Sequence, residues 1–352
     1  MSFFTTKEIA FGLDISDHCL RLVQLHKRGK KIRLQLYNEI SLPSGCLEGG
    51  EIKQSKPFLE ALVKLIKTRH GHGKLSDEVI AVLPESKTFL KVIDIPLVEK
   101  EKINDEIKLV LPQHVPLNIE EVYFDWQIIK TEAEKQTLIV GISPQNIIDS
   151  YVAILTQAGL IPTALEIEAA AIARAIVPDQ DQEPKVVIDI GANRTGLFLI
   201  EEGFVKFTIS LPISGNRLTQ LIAEALELDR EQAEQAKIVC GLDKNKCHGA
   251  LLEILSDTID ELCRNILEAT NFYRDNFKNA KELKQIMLCG GGACFSEMAA
   301  NIQNKIKLAA VVANPWQNII NPQNNYFSSG KSQSFITALG LARRGLSPET
   351  FL

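Results

Sequence analysis

The sequence predicts a duplicated α/β protein, with two lobes around a cleft and a small α+β subdomain inserted in the first lobe. Three observations lead to this fold class. Two segments, which start at Asp14 and Asp189, follow the same order of strands and turns, and helical segments follow each of them. A strand near residue 286 then runs into three glycines, Gly290–Gly292. The length of 352 residues suits two lobes, because single cores rarely exceed roughly 250–300 residues.

The two repeats open and close alike. Each opens on an apolar strand that ends in Asp-Ile, and each closes on Ile-Ser-Leu-Pro, at residues 40–43 and 209–212. The strands between them alternate with period two around glycine turns at Gly29 and Gly203, which is the pattern of antiparallel hairpins. The shared order and the shared tetrapeptide favour duplication over a chance likeness of two meanders.

The remaining segments give the domain organisation. Apolar residues spaced three and four apart predict helices at 56–70, 218–228 and 251–277. A β-β-α-β-β-α series fills the interval between the repeats and could form an inserted subdomain. We therefore predict a first-lobe core of residues 1–84 and 160–183, with the insert at 85–159. The second lobe is predicted to combine a core of residues 184–220 and 284–352 with a helical subdomain at 221–283.

Composition restricts the classes of function and partner. A formal charge of -5 and a pI near 5.8 disfavour a broad nucleic-acid or anionic-membrane footprint, although a local basic patch is compatible with them. The first sixteen residues lack the pattern of a secretory signal, and no run reaches the ~18 apolar residues of a spanning helix. Seven cysteines, an odd number, then suggest free thiols in a reducing compartment. Cys240, Cys247 and His248 are close in sequence, but we expect buried thiols there rather than a metal site.

The two aspartates and their turns are the main candidates for chemistry. Backbone N–H groups of a small, polar turn can cradle a phosphate, and an aspartate at the preceding strand end can hold Mg²⁺ through water. A plain β-turn is the alternative for each hairpin taken alone, and duplication of the pair favours the phosphate site. The glycines of Gly290–Gly292 allow close backbone approach to a ligand, but Phe295 breaks the G-x-G-x-x-G spacing of a dinucleotide site.

The order of these elements resembles that of the actin, Hsp70 and sugar-kinase superfamily. Within it the chain is most similar to the PilM family of type IV pilus assembly proteins, over nearly its whole length. The supporting stretches are 124–126, 158–162, 166–175, 211–219, 233–237, 313–316 and 338–346. The resemblance implies ATP or ADP with Mg²⁺ in an interlobe nucleotide cleft, the metal being held through water by Asp14 and Asp189. The other nucleotide-binding residues that it implies are Ser16, His18, Cys19, Gly191, Asn193, Arg194, Thr195, Gly215, Glu234, Lys237, Gly290, Gly291 and Gly292.

The same resemblance implies a cytoplasmic ATP-binding scaffold or switch, recruited to the inner membrane through its partners. Its partners would be the N-terminal tail of a PilN-like inner-membrane protein, in a groove between the first-lobe core and the insert, and other pilus assembly components. Nucleic acid and direct membrane insertion are not implied, and self-association is left open. Where the superfamily has glycine and small hydroxyl residues, this chain has Ser16, His18 and Cys19, so we predict ATP binding with weak or absent hydrolysis. Glu166 and Glu168 are the candidates to orient an attacking water.

Two alternatives belong to other functional classes. A small-molecule kinase of the same superfamily would need a catalytic aspartate beside a substrate pocket. A polymerising, membrane-anchored protein similar to the division protein FtsA would need a C-terminal amphipathic helix, whereas residues 345–352 are short and contain Pro348.

Overall fold

The computed structural model describes residues 9–277, 280–320, 322 and 326–346, with only the backbone of Ser329. The expectations about an N-terminal signal and a C-terminal anchor fall mainly on residues 1–8 and 347–352, outside the described residues. The chain divides into two compact units. The first contains the described residues of 1–179, 316–322 and 337–352, and the second those of 180–315 and 323–336. The predicted subdomain boundaries within the lobes stay predictions.

Both units contain strands and helices, and each opens on a run of strands. The strands are β1 Phe11–Ser16, β2 Cys19–Arg28, β3 Lys31–Ser41, β4 Leu47–Glu48, β5 Glu51–Ile52, β6 His70–Gly71, β7 Glu78–Leu83, β8 Phe89–Pro96, β9 Val122–Thr131, β10 Lys135–Pro144, β11 Ile161–Ile167, β12 Lys185–Ile190, β13 Thr195–Glu201, β14 Phe204–Leu211, β15 Gln285–Cys289 and β16 Ala310–Val312. The helices are α1 Ser55–Lys67, α2 Ile103–Val110, α3 Gln145–Gln157, α4 Glu168–Ile176, α5 Gly215–Leu226, α6 Arg230–Cys240, α7 Ala250–Ile254, α8 Ser256–Asn276, α9 Met298–Ile306, α10 Ser329–Ser334 and α11 Ile336–Leu346. The predicted helix at 251–277 is thus divided into α7 and α8.

The main sheets of the two units share one topology, which confirms the predicted duplication. In the first unit β3, β2, β1, β7 and β11 lie side by side in that order, with β6 outside β3. In the second unit the order is β14, β13, β12, β15 and β16. Each begins with an antiparallel three-stranded meander, and each adds two parallel strands beside the first strand of that meander. The mixed α/β fold predicted from the repeats is therefore present in both halves.

The central strands are apolar because both faces of each sheet are covered, as expected for parallel pairs that carry helices. In the first unit α1 buries Phe58, Leu62 and Leu65 against the sheet, on the predicted stripe. Helix α11 packs closely on β1, where a Cβ added to Gly12 would lie 2.4 Å from the carbonyl oxygen of Ala338. In the second unit α5, α8 and α9 cover the buried strands β12, β13 and β15.

The inserted segment has a sheet and a core of its own. Strands β8, β10 and β9 form an antiparallel sheet in that order, with β10 in the centre. Helix α2 packs on it through Ile103 and Ile107, which are fully buried. Helix α3 instead joins the core of the main sheet through Tyr151 and Leu155. The exposed surface where β9 approaches α3 therefore lies between the insert and the first-unit core.

The cysteines depart from the sequence-based expectation. The structure pairs Cys240 with Cys247 in a disulfide, so the expectation of free thiols is wrong for these two. The chain turns back after α6 at Gly241, where φ is 59°, and this brings the two Cα atoms to 5.7 Å, within the range that a disulfide spans. Within the described part of the chain, the cysteines at 19, 46, 263, 289 and 294 form no disulfide. Among the described helices, none has both the length and the apolar character needed to cross a bilayer.

Candidate functional site

The first hairpin, between β1 and β2, holds its aspartate in an ion pair. Asp14 lies directly opposite Arg21, and its buried carboxylate accepts a hydrogen bond from Arg21 Nη1 at 3.0 Å. The pKa of Asp14 is raised to about 6, chiefly by burial; the Arg21 guanidinium opposes this shift, and the nearby charge of Glu168 contributes to it. The second nitrogen, Arg21 Nη2, lies 3.7 Å from Glu39. This predicted metal-binding carboxylate is therefore already neutralised by a cation.

The turn of the first hairpin is closed by its own side chains. The hydroxyl of Ser16 donates to the carbonyl oxygen of Cys19 at 3.0 Å and lies 3.2 Å from the Cys19 sulfur. The Cys19 thiol is buried, and burial raises its pKa. His18 is exposed at the tip, and its carbonyl oxygen accepts from the backbone N–H of Leu42 at 2.8 Å. The structure thus brings the four predicted residues of this hairpin together.

The second hairpin, between β12 and β13, is tied to the start of helix α5. The N–H of Gly215 donates to Gly191 O, and the N–H of Asn216 donates to Ala192 O, both at 2.9 Å. The amide of Asn216 also donates to Asn193 Oδ1 at 2.8 Å. Ser214 caps α5 by accepting from the N–H of Arg217 at 3.2 Å. Hairpin and helix N-terminus therefore form one continuous backbone surface.

Thr195, at the start of β13, is fully buried. Within the part of the chain that the structure describes, its hydroxyl has no hydrogen-bond partner. A buried hydroxyl without a partner costs free energy, roughly 1–3 kcal/mol. The second hairpin thus contains an unsatisfied polar group at one of the predicted phosphate-binding positions.

The glycine turn after β15 packs directly against Asp189. A Cβ added to Gly290 would lie 2.3 Å from Asp189 Oδ1 and 2.8 Å from Ile190 O, and its φ of 78° favours glycine. The Cys289 thiol lies 3.7 Å from the same carboxylate oxygen. A Cβ added to Gly291 would meet nothing within 4 Å, so this position faces open space. The structure therefore places half-buried Asp189 against a turn with room for a ligand beside it.

Glu234 and Lys237, on α6, reach back to α5. Lys237 Nζ donates to Gly215 O at 3.0 Å, to Thr219 Oγ1 at 2.8 Å and to Glu234 Oε2 at 2.7 Å. The Thr219 hydroxyl donates to Glu234 at 2.6 Å. Burial alone would raise the pKa of Glu234, but the hydrogen bonds from Lys237 and Thr219 outweigh it and lower that pKa. The pair predicted to hold ribose and adenine is therefore linked to the second hairpin through Gly215.

The two candidate catalytic carboxylates differ in their surroundings. Glu166 has a completely buried side chain that both terminal nitrogens of Arg174 contact, at 2.9 and 2.5 Å. Arg344 of α11 adds a third contact at 3.6 Å. Glu168 opens α4 and is half-buried. Since Glu166 is saturated by two cations, its contacts in the structure are those of an ion-pair network.

A metal can gain only limited support from side chains. Across the described residues, no group of three or more His, Cys, Asp or Glu side chains is arranged to hold a metal ion. Mg²⁺ usually binds through one or two carboxylates, with water and substrate phosphate filling its other positions. The partly accessible Asp189 fits that mode, whereas the Arg21 contact competes for Asp14.

Arg21 and Thr219 contact the candidate site residues but were not predicted from the sequence. Hairpin register and helical spacing are the patterns that indicate them. The two-residue loop Asp17-His18 fixes the register of the first hairpin and so puts Arg21 opposite Asp14. Thr219 follows Gly215 by four residues, which is one helical turn, and its hydroxyl oxygen lies 2.9 Å from Gly215 O. Register and helical spacing would have added both residues to the candidate site.

The resemblance implies a partner groove between the insert and the first-unit core, but the sequence did not indicate which residues line it. Tyr123 of β9 and Val152 of α3 are exposed, and the Tyr123 hydroxyl donates to Asp149 of α3 at 3.4 Å. The amide of Gln145 donates to the carbonyl oxygens of Glu120 and Val122, at 3.1 and 3.3 Å. These hydrogen bonds fix α3 against the edge strand β9 and leave apolar groups on the surface beside them.

Comparisons with known proteins agree with this fold. The chain is 27% identical to the cell division protein FtsA of Pseudomonas aeruginosa over 131 residues, which are 36% of this chain and 31% of that protein's length. Among solved structures it is similar to the PilM–PilN type IV pilus biogenesis complex, with a TM-score of 0.80, 22% identity and coverage of 97% of this chain and 100% of that one.

Further solved structures show the same fold at lower similarity. The ethanolamine utilization protein EutJ of Carboxydothermus hydrogenoformans has a TM-score of 0.56 and 15% identity, covering 95% of this chain and 88% of that one. MreB5 of Spiroplasma citri bound to AMPPNP has a TM-score of 0.56 and 12% identity, covering 97% and 98%. The family model described as type IV pilus assembly protein PilM matches residues 12–346. The chain therefore belongs to the PilM family of type IV pilus assembly proteins.

Proposed function

We propose that this protein is an ATP-binding scaffold of type IV pilus assembly that also binds the N-terminal tail of a PilN-like inner-membrane protein. The observation behind the nucleotide part is the convergence of distant residues within the second unit. Asp189 lies against Gly290, and Gly191 bonds to Gly215, which in turn accepts from Lys237. The members of this set come from four separate segments between residues 189 and 290. Family membership supports the role in pilus assembly.

Each part of the second-unit site has a proposed role. The hairpin at Gly191, Asn193, Arg194 and Thr195 would hold phosphate, and a phosphate oxygen would supply the partner that the Thr195 hydroxyl lacks. Asp189 would hold Mg²⁺ through water. Glu234 and Lys237 would contact the ribose and adenine, with the nucleoside beside the open position at Gly291. The similar MreB5 structure carries AMPPNP, which supports a nucleotide here.

Hydrolysis is proposed to be weak or absent. The roles of Asp14, Ser16, His18 and Cys19 in nucleotide binding stay predictions from the resemblance, and their polar atoms bond within the hairpin. An ionised carboxylate that already pairs with an arginine contributes little to a metal. Of the two candidates to orient water, Glu166 is occupied by Arg174, so Glu168 is the one we retain.

The partner tail is proposed to bind the surface formed by Tyr123, Asp149 and Val152. This surface lies between the insert and the first-unit core, where the resemblance places the tail. Exposed apolar side chains beside a carboxylate suit a short segment with apolar anchors and an amino or basic group. The similar solved structure is described as a PilM–PilN complex, which supports a PilN-like partner. Binding would recruit the protein to the inner membrane and to other assembly components.

The nucleotide and the tail are proposed to be coupled. If ATP favours the conformation that binds the tail, the tail must tighten ATP by the same factor. The reaction required of the protein is then binding and release, with no need for turnover. A scaffold without coupling would show two independent affinities.

The test is a pair of reciprocal titrations on the nucleotide-stripped protein. Calorimetry with Mg-ATP should show binding that Asp189→Ala weakens by at least about tenfold, because the proposed metal contact is lost. Asp275→Ala, at an exposed carboxylate of the same unit, is the matched control and should bind as the unchanged chain does. If Asp189→Ala bound Mg-ATP as tightly as Asp275→Ala does, the proposed site would be contradicted.

The partner arm uses a labelled tail peptide of the cognate PilN-like protein. Val152→Glu should weaken it by at least about tenfold, since it buries a charge in an apolar contact. Leu109→Glu, at a more exposed apolar position on α2, serves as the control. Saturating ATP should then increase the affinity for the peptide, and saturating peptide should increase the affinity for ATP by the same factor. No mutual effect would remove the switch and leave the scaffold.

A further inference from the structure

The tip of the β2–β3 hairpin carries a dense cluster of positive charge that the proposed nucleotide and tail sites do not use. Residues 26–33 read His-Lys-Arg-Gly-Lys-Lys-Ile-Arg, and no acidic residue occurs between Gln24 and Asn38. The chain as a whole has more acidic than basic residues, 44 against 39. The cluster therefore opposes the net charge of the protein that carries it.

Strand register sorts these residues onto two faces. His26 pairs with Arg33 and Arg28 pairs with Lys31, so these four side chains share one face, which we term the basic face. Like charges that lie directly opposite in a hairpin repel each other and destabilise the pair. Lys27 pairs with Ile32 on the opposite face, and Lys30 lies in the turn at Gly29.

The basic face is free to meet a partner. The register between β1 and β2 ends at Gly12 and Val23, so the hairpin from Leu25 onward projects past that neighbour. Near the tip, Ile320 contacts the hairpin through a bridge with Arg33 and donates its N–H to Ile32 O at 2.9 Å. Farther from the tip, β3 pairs with β6 at Leu36 and Tyr37. All five lysines and arginines of the tip are exposed, and none has an ion-pair partner within the described ranges. Ile320, next to the face, exposes 42% of its surface.

We propose that the basic face binds the anionic lipid headgroups of a membrane surface. A bilayer is a flat anionic surface that a projecting tip can touch while the acidic remainder of the protein stays clear of it. An exposed isoleucine beside the cations suits the boundary between headgroups and acyl chains. This proposal rests on the proposed function, because a tail-bound partner in the membrane would hold the hairpin near the bilayer and raise its effective concentration.

Nucleic acid fits the same face less well. Single-stranded nucleic acid is usually held by aromatic side chains between the cations, and the basic face has no Phe, Tyr or Trp and only the single imidazole of His26. Duplexes are held through many phosphates along a track, whereas the face spans two pairs of residues, roughly 7 Å along the strands. The headgroup surface is therefore the partner that the shape and charge of this tip favour.

The test is sedimentation of the full chain with vesicles. Unchanged protein should bind vesicles of equal parts phosphatidylcholine and phosphatidylglycerol, and should not bind phosphatidylcholine alone. Each basic residue strengthens such binding about fivefold, so Arg28→Gln/Lys31→Gln/Arg33→Gln should lower the partition coefficient on the order of a hundredfold. Salt of about 1 M, where the screening length is about 3 Å, should release the unchanged protein.

A matched triple variant separates the local cluster from net charge. Lys244→Gln/Lys246→Gln/Arg264→Gln removes three exposed cations from the second unit and should bind as the unchanged protein does. An equal loss in both variants, equal binding to both vesicle types, or binding of a DNA oligonucleotide through the same arginines without vesicle binding would overturn the proposal. The assay contains no tail peptide, so its result does not depend on whether the proposed PilN-like tail binds. The hairpin variant should still bind that peptide normally.

Discussion

Asp14 offers a direct measurement of how burial and ion pairing compete in the first hairpin. The carboxylate is buried, and its hydrogen-bond partner is the guanidinium of Arg21. Burial disfavours the charged form, whereas Arg21 favours it. The balance leaves the pKa of Asp14 raised from 3.8 to about 6. Asp14→Asn removes the titrating group while keeping a side chain of nearly the same size.

The sign and size of the effect follow from that pKa. Between pH 3.8 and about 6 the folded state holds a proton that the unfolded state has released. Protonation of Asp14 therefore contributes stability that is fully present below pH 3.8. This contribution is lost as the pH rises through the folded pKa of about 6. Two pKa units correspond to about 3 kcal/mol. Because part of this stability is already lost at pH 4, the free energy of unfolding of the unchanged protein should fall by about 2 kcal/mol from pH 4 to pH 7, relative to Asp14→Asn.

Urea unfolding followed by tryptophan fluorescence measures the free energy of unfolding of the first unit, which contains Asp14. Both tryptophans, Trp126 and Trp316, belong to the first unit. Asp105→Asn, at an exposed carboxyl of the same unit, controls for loss of a general negative charge. If the difference between the unchanged protein and Asp14→Asn were constant or grew toward pH 7, the Arg21 contact would outweigh burial and our reasoning would be refuted.

Two further predictions concern the second unit. Gly290→Ala should lower the free energy of unfolding by at least about 1–2 kcal/mol and weaken Mg-ATP, because φ is positive and the new Cβ meets Asp189, whereas Gly291→Ala should leave stability unchanged in the same urea titration. Reduction of the disulfide, or Cys247→Ser, should lower the stability of this unit by about 2 kcal/mol, as expected for opening a loop of this length. Unfolding by circular dichroism with and without a phosphine reductant measures it, and equal curves would contradict the pairing.

Much of the fold could be predicted because local patterns specify it. The shared Asp-Ile opening and Ile-Ser-Leu-Pro closing of the two meanders led to the duplicated sheets, since alternation and glycine turns decide hairpins within a few residues. The stripe on α1 likewise gave the helix and its buried face. These features depend on contacts between residues that are near in sequence.

The rest depends on contacts between distant residues, and composition does not encode them. Nothing around Glu166 indicates that Arg344, 178 positions later, contacts it. Nor does the run of three glycines at 290–292 show that the first glycine, rather than the second, lies against Asp189. The pairing of Cys240 with Cys247 required a reversal at Gly241, and sequence spacing alone is compatible with free thiols as well.

The two hairpins share the pattern of one repeat, but the surroundings of their aspartates differ. In the first, the residue opposite Asp14 is Arg21, which fills the position of a cation with a side chain. In the second, the residue opposite Asp189 is Gly196, which has no side chain to offer, and Asp189 is half-buried. Because the Asp189 carboxylate is more accessible to solvent than that of Asp14, which is only 4% exposed, a cation from solution can reach Asp189 at a lower desolvation cost. The free energy of nucleotide binding should accordingly depend more on the second hairpin, and Asp189→Ala should weaken Mg-ATP more than Asp14→Asn does.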